Sequence, residues 1–319
     1  MRVKTPLKKL LKQAYKSFAV IAIIISWPAL GEEMENTYFT WNDFKEAFGR
    51  EMNISLGIYD SMKEGGLTDF DRSSFDFQYK SDSKEKLEKL SAFLLESYPY
   101  KMDYIKEIEG GWELSMTTNP ISITEEIIMY WALDMAKRGY EFDAMLESYG
   151  APYDPKNPDL PALSKEKEDE YFDKGVKEYN KGNLSGALMY WSYAIEINPK
   201  DPNSFYSRAI VKTELYTWKA AIRDYDKALE IAPDFVSALT NRGSTKDENG
   251  DHKGAIQDYN KVIELAEAGS DNKQMAFYNR GNSKYKLGDN KGACVDWKKA
   301  VDEGADYAQE RFEKYCKIL

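Results

Sequence analysis

The chain has 319 residues, 42% of them hydrophobic and 31% charged, which excludes a disordered chain and exceeds what one small core organises. Its net charge of −10 is unevenly placed: residues 1–31 carry six basic and no acidic side chains, leaving 38 basic against 54 acidic in the remainder. An acidic body repels phosphate backbones and argues against direct nucleic-acid binding, and a single histidine, His252, leaves no material for a His-based zinc site or triad.

The first predicted element is a targeting segment over residues 1–31. A basic stretch ending at Lys16 precedes the apolar run Ser17 to Leu30, and Ala29-Leu30-Gly31 offers small residues at a cleavage site. The run falls short of the ~20 residues that span a bilayer comfortably. A cleaved signal peptide, giving an exported protein of the cell envelope or periplasm, is the leading expectation. The alternatives are membrane anchoring through residues 17–31 and a cytoplasmic protein started at Met34.

Residues 32–72 read as a helical lead-in. Thr40 is placed to cap a helix through Phe44, Ala47, Phe48 and Met52, and a second helical stretch runs from Leu56 to Lys63 before Gly65-Gly66. Residues 73–150 then change period repeatedly. Phe75, Phe77 and Tyr79 alternate as a half-buried strand requires, and Asp82-x-x-Glu85 opens a helix with Leu87, Leu90, Phe93 and Leu94 on one face. Two alternating runs, Met102/Tyr104/Ile108 and Trp112/Leu114/Met116, flank Gly110-Gly111 and predict a tight hairpin. Ser122-x-x-Glu125 predicts a capping box for a helix ending at Gly139, and Tyr140, Phe142 and Ala144 a last strand. The order β-α-β-β-α-β is the ferredoxin-like split arrangement, so the predicted class is an α+β ferredoxin-like domain.

Residues 50–153 resemble the regulator of ribonuclease activity B (RraB) family. The resemblance rests on Ile58-Tyr-Asp-Ser-Met-Lys-Glu-Gly65, Ser74-Phe-Asp-Phe-Gln-Tyr79, Gly111-Trp-Glu-Leu114 and Gly139-Tyr-Glu-Phe-Asp143. Where the family tends to show Tyr-Asp-Gly-Trp, this chain has Phe142-Asp143-Ala144-Met145. The resemblance implies a non-catalytic domain that binds an RNase E-type endonuclease.

Residues 151–163 read as a linker. Pro152, Pro155, Pro158 and Pro161 recur every third residue, the polyproline II period, and at ~3.1 Å per residue such a spacer extends about 30 Å at most.

From residue 164 an all-α solenoid is predicted. Four columns, Gly175/Ala209/Gly243/Gly281, Ala187/Ala221/Ala255/Ala293, Trp191/Tyr225/Tyr259/Trp297 and Ala194/Ala228/Val262/Ala300, recur at spacings of 34, 34 and 38. Small residues let two helices approach, and the aromatic fills the gap toward the next pair. Over residues 168–319 this pattern resembles the tetratricopeptide repeat (TPR) family: four units, 168–201, 202–235, 236–269 and 274–307, then a capping helix with Tyr307, Phe312, Tyr315 and Ile318. Residues 270–273 are expected to bulge from a turn. Residues 164–319 are expected to fold alone, because each repeat needs only its neighbours.

The family resemblance implies a concave groove lined by positions 2, 5, 9 and 12 of each first helix, which places Phe172, Tyr179, Asn203, Tyr206, Tyr278, Asn282 and Tyr285 in a partner-binding groove for a protein or peptide. Asn241, Asn279 and Asn282 partly match the carboxylate clamp of chaperone-binding members, but no unit has Lys at position 5. Arg208, Arg242 and Arg280 recur at position 7 and are expected to make structural ion pairs. Asp224, Asp226, Asp247, Glu248 and Asp289 are expected on solvated faces or in turns. Cys294 and Cys316 are expected as buried free thiols. No cofactor, metal or catalytic constellation is predicted, and the expected function is that of a non-catalytic protein–protein interaction adaptor; the alternatives are a cytoplasmic regulator binding an RNase E-type endonuclease and, last, a hydrolase with an unrecognised site.

Overall fold

The structure is a computed structural model that describes residues 36–151 and 159–316; the targeting segment predicted at residues 1–31 lies outside them. The described residues form two compact units, 36–199 and 200–316.

The first unit opens with α1 (Trp41–Glu64), one continuous helix where the sequence predicts two. Thr40 and Asp43 close a reciprocal capping box at its start. Ser55, which weakens the sequence pattern, is buried with its hydroxyl donated back to Met52 O at 2.9 Å, so the helix runs through it. Phe44, Ala47 and Met62 are buried along this helix, which packs on α3 (Glu125–Glu141).

Four strands make the main sheet: β2 (Asp76–Ser81), β3 (Tyr100–Ile108), β4 (Gly111–Thr118) and β6 (Met145–Gly150). Their order is β3-β4-β2-β6 and every neighbouring pair is antiparallel, with Phe77 opposite Met116 and Tyr79 opposite Leu114. A separate pair joins β1 (Arg72–Ser73) to β5 (Ile121–Ser122). The core takes Phe75, Phe77, Tyr79, Leu114 and Met116, Leu87, Leu90 and Leu94 of α2 (Lys84–Ser97), and Ile128, Trp131 and Met135 of α3. Gly110 and Gly111 both carry positive φ at the β3–β4 hairpin, and a Cβ on Gly111 would meet Ser81 O at 2.4 Å.

Three local readings are corrected. Thr124, not Ser122, caps α3, accepting from Ile127 N, while Ser122 sits in β5. Tyr140 belongs to α3, which runs through Glu141, and the last strand begins only at Met145. Asp143 (φ 51°) makes the turn, and its carboxylate gathers the backbone N–H groups of Thr37, Tyr38 and Phe39, pinning the segment before α1.

The first repeat, α4 (Glu168–Asn180) and α5 (Leu184–Ile197), belongs to this unit, and α5 packs on α3. Pro152, Pro155 and Pro158 fall outside the described residues. Asp159 ties back to the sheet domain through Asp71 Oδ1 and through an ion pair with Arg72, so the expected spacer does not hold the first repeat away from that domain.

In the second unit the helices pair as α6 (Pro202–Glu214) with α7 (Trp218–Ile231), α8 (Val236–Glu248) with α9 (His252–Leu265), and α10 (Asp271–Lys286) with α11 (Asn290–Asp302). Asp271 to Lys273 lengthen α10 at its start instead of bulging. The repeating Gly–aromatic columns meet as the spacing requires: a Cβ on Gly243 would lie 2.6 Å from the Tyr259 ring, and one on Gly281 2.7 Å from Trp297. Tyr216, where the other units place glycine, adopts φ 58°. The described residues end in a short 3-10 turn, Asp306–Ala308, and α12 (Gln309–Cys316).

Candidate protein-binding face of the repeats

The repeats of the second unit are braced by one ion-pair motif used three times. Arg208 reaches Asp224 by Nε and Nη2 at 2.8 and 2.9 Å, and Lys212 joins the same carboxylate at 2.8 Å. Arg242 and Lys246 do the same to Asp258, and Arg280 and Lys284 to Asp296. In each set the arginine and lysine lie one turn apart on the first helix and the aspartate on the second, so two cations answer one buried anion. Arg242 Nη1 also reaches back to Asp226 at 2.7 Å, and Arg280 Nη1 to Asn260 at 2.6 Å, which joins consecutive repeats. The expected structural role of these arginines is seen directly. Asp224 is corrected: it is buried, not solvated. Burial alone would raise its carboxyl, but Arg208 and Lys212 outweigh that and hold it below the ordinary carboxylate range.

Asp247 is likewise drawn into the fold. It accepts from Tyr259 OH at 3.1 Å and Ser283 Oγ at 2.7 Å, and His252 Nδ1 lies 2.8 Å from its other oxygen. Asp289 is the turn residue expected of it, capping α11 through Gly292 N. The sequence offers the signal for the clamps, an Arg and Asp sixteen apart in three consecutive units, but not the burial that gives them weight.

The residues predicted to line a groove separate by environment. Asn203 is exposed and next to its cap, Asp201. Tyr206 is buried: it receives a hydrogen bond from Asn241 Nδ2 at 3.2 Å, packs on Phe235 with centroids 4.8 Å apart, and contacts Tyr225. It is a core residue joining the second and third repeats and presents no free surface. Tyr278, Asn282 and Tyr285 fall together on α10 and meet the C-terminal segment: Asn282 Oδ1 accepts from Trp297 Nε1 of α11 and from Arg311 Nη1 of α12, both at 3.0 Å, Tyr278 meets Tyr307 of the 3-10 turn edge-on, and Tyr285 lies 5.1 Å from Tyr315 of α12. Between these ends, Ile210, Thr213, Ser244 and Asp247 remain half-buried. In the first unit, Phe172 and Tyr179 are half-buried on α4; Phe172 O accepts from Trp191 Nε1 and Tyr179 packs on that indole.

The cysteines are corrected as well. Cys294 on α11 and Cys316 at the end of α12 form a disulfide with Cα atoms 5.6 Å apart, and both are half-exposed instead of buried. Among the described residues, no cluster of His, Cys, Asp and Glu is placed to hold a metal ion, and no helix is long and apolar enough to cross a membrane.

Residues 236–268 match the tetratricopeptide repeat family. No curated protein matches the chain. Among solved structures, MamA of Desulfovibrio magneticus RS-1, residues 41 to the end, is 20% identical with a TM-score of 0.41, over 48% of this chain and 94% of that one. PilF of Pseudomonas aeruginosa is 22% identical with a TM-score of 0.40, over 44% of this chain and 62% of that one. YrrB, a TPR protein described as having an unusual peptide-binding site, is 19% identical with a TM-score of 0.43, over 59% and 84%. The third helical pair of this chain, α8 and α9, is thus a tetratricopeptide repeat, an architecture typical of protein-interaction adaptors.

Proposed function

We propose that the protein is an exported, non-catalytic adaptor whose repeats hold an extended segment of a protein partner along their inner face. The observation that carries this reading is the contrast within residues 202–302. The buried charges brace the helices to one another, while Asn203, Ile210, Thr213, Ser244, Asp247 and Tyr285 keep solvent access on first-helix positions. Polar groups in the middle suit the backbone of an extended peptide and the aromatic end suits an apolar anchor. Asp247 disfavours a terminal carboxylate, so the segment is internal or basic.

Photo-crosslinking in the native host tests this. A crosslinkable residue at 203 or 244 is expected to capture a partner, and one at 223 or 264, on exposed second-helix positions, is not. Equal capture from both sets removes the reading.

Export is supported by the basic-then-apolar N-terminus and by the disulfide, a bond that persists in oxidising compartments. Substituting Lys for Ile23 and Ile24 should strand the protein in the cytoplasm.

A second reading takes residues 50–153 as an RraB-like domain binding an RNase E-type endonuclease in a cytoplasmic protein started at Met34. Its support is the strand order β3-β4-β2-β6, all antiparallel, which is the order a ferredoxin-like split arrangement requires. N-terminal sequencing of the native protein separates the two: a first residue near Glu32 favours export, and Met34 favours the regulator.

A further inference from the structure

Helix α12 is eight residues long and buries none of them, so neither its length nor its packing would hold it in place unaided. What precedes it is different: Ala305 and Ala308 are buried against Phe277 and Ala300, which fixes the 3-10 turn to the fourth repeat. Beyond Ala308 the contacts are peripheral ones. Arg311 bonds Asn282 and lies over the Trp297 and Tyr278 rings, and Tyr315 leans on Tyr285 and Trp297. The far end is then closed covalently, Cys316 to Cys294. Thus α12 hinges at a fixed turn, is latched at its tip, and lies across three of the side chains that the sequence assigns to the partner-binding face.

We propose that the Cys294–Cys316 disulfide is a thiol–disulfide exchange site whose reduction by a dithiol releases α12 and uncovers Asn282 and Tyr285. This rests on the inner-face reading of the repeats and adds its regulation. One thiolate of the dithiol attacks a sulfur of the half-exposed pair, breaking the S–S bond and forming a mixed disulfide; its second thiol then resolves that bond. The chain gains two electrons and two protons, ending as two thiols, and the dithiol ends as a disulfide. Reduced, the helix keeps only its peripheral contacts and frays from Gln309 onward, while the turn at 306–308 stays in place.

The test is hydrogen exchange on the full chain with and without dithiothreitol. These are the only two cysteines, so the reductant acts on this bond alone. Reduction should raise amide exchange over residues 309–316 at least tenfold and leave α6 to α11 unchanged; Cys316→Ser should show the same fast exchange in both buffers. Unchanged protection of 309–316 after complete reduction, or in Cys316→Ser, would overturn the latch. Crosslinking from positions 203 and 244 does not depend on α12, so failure of the latch and failure of the binding reading are told apart.

Discussion

Arg208 closes both arms of its guanidinium on Asp224, Nε to Oδ2 at 2.8 Å and Nη2 to Oδ1 at 2.9 Å, and the same sixteen-residue step recurs from Arg242 to Asp258 and from Arg280 to Asp296. The pair ties the two helices of one repeat where the side chains are largely out of water. Removing one partner strands the other's charge. Asp258→Ala should therefore destabilise the second unit by about 3–5 kcal/mol, because it leaves Arg242 and Lys246 without their common anion. Urea unfolding of the variant checks this; a loss below about 1 kcal/mol would reduce the clamp to an ordinary surface ion pair.

The clamp also sets an acid limit. Asp224 is held below the ordinary carboxylate range in the folded chain, so it binds its proton less readily there than when unfolded. Its contribution is therefore complete above the unfolded value near ~4 and fades as the pH falls through the lower folded value. Unfolding midpoints measured downward from pH 5 should fall more steeply for the wild type than for Asp224→Asn. Parallel curves would assign the acid loss to other carboxylates, such as Asp143, which is also held low: burial opposes this, and Lys86 with three backbone N–H groups outweighs it.

Tyr206 and Tyr285 occupy inner-face positions of their helices and should behave oppositely. Tyr206→Ala empties a site between the second and third repeats and removes the hydrogen bond from Asn241, for a loss of about 3 kcal/mol or more. Tyr285 is 39% exposed, and Tyr285→Ala should cost under about 1 kcal/mol. Thermal unfolding of the two variants is the measurement, and equal losses would contradict the assignment of Tyr206 to the core.

Much of this architecture is legible because its cause is local or periodic. A Gly-Gly pair needing positive φ marks the β3–β4 hairpin, and Gly243 under Tyr259 follows from a 34-residue rhythm that lets helices approach only at small residues. What the sequence hides depends on contacts far along the chain. Tyr206 and Tyr285 look alike until the next hairpin is laid over one of them. Cys294 and Cys316 look like two isolated thiols until Ala305 and Ala308 turn the chain back on the fourth repeat. Asp143 reads as part of a strand, whereas its carboxylate takes Lys86 and three backbone N–H groups more than a hundred residues earlier.

The first repeat offers the last test, because one buried carboxylate of the sheet domain holds the start of its second helix. Asp134 on α3 is fully buried and accepts from Tyr98 OH, from Arg138 Nε at 3.2 Å and from Ser185 N, at the start of α5, at 2.9 Å. Arg138 Nη2 donates in turn to Gly182 O at 2.8 Å, in the turn between α4 and α5. A carboxylate at a helix N-terminus is favoured by the orphan N–H groups there, and this one also neutralises Arg138. Asp134→Ala leaves Ser185 N buried without its acceptor and removes the buried anion beside Arg138, which keeps Glu141 and Gly182 O, so the change should cost about 3 kcal/mol. The loss should be local. Amides of residues 168–197 should exchange faster in the variant while those of 202–302 keep their protection, because α5 loses a buried hydrogen bond to α3. A variant with uniform loss across both segments would show that the first repeat draws its stability from elsewhere.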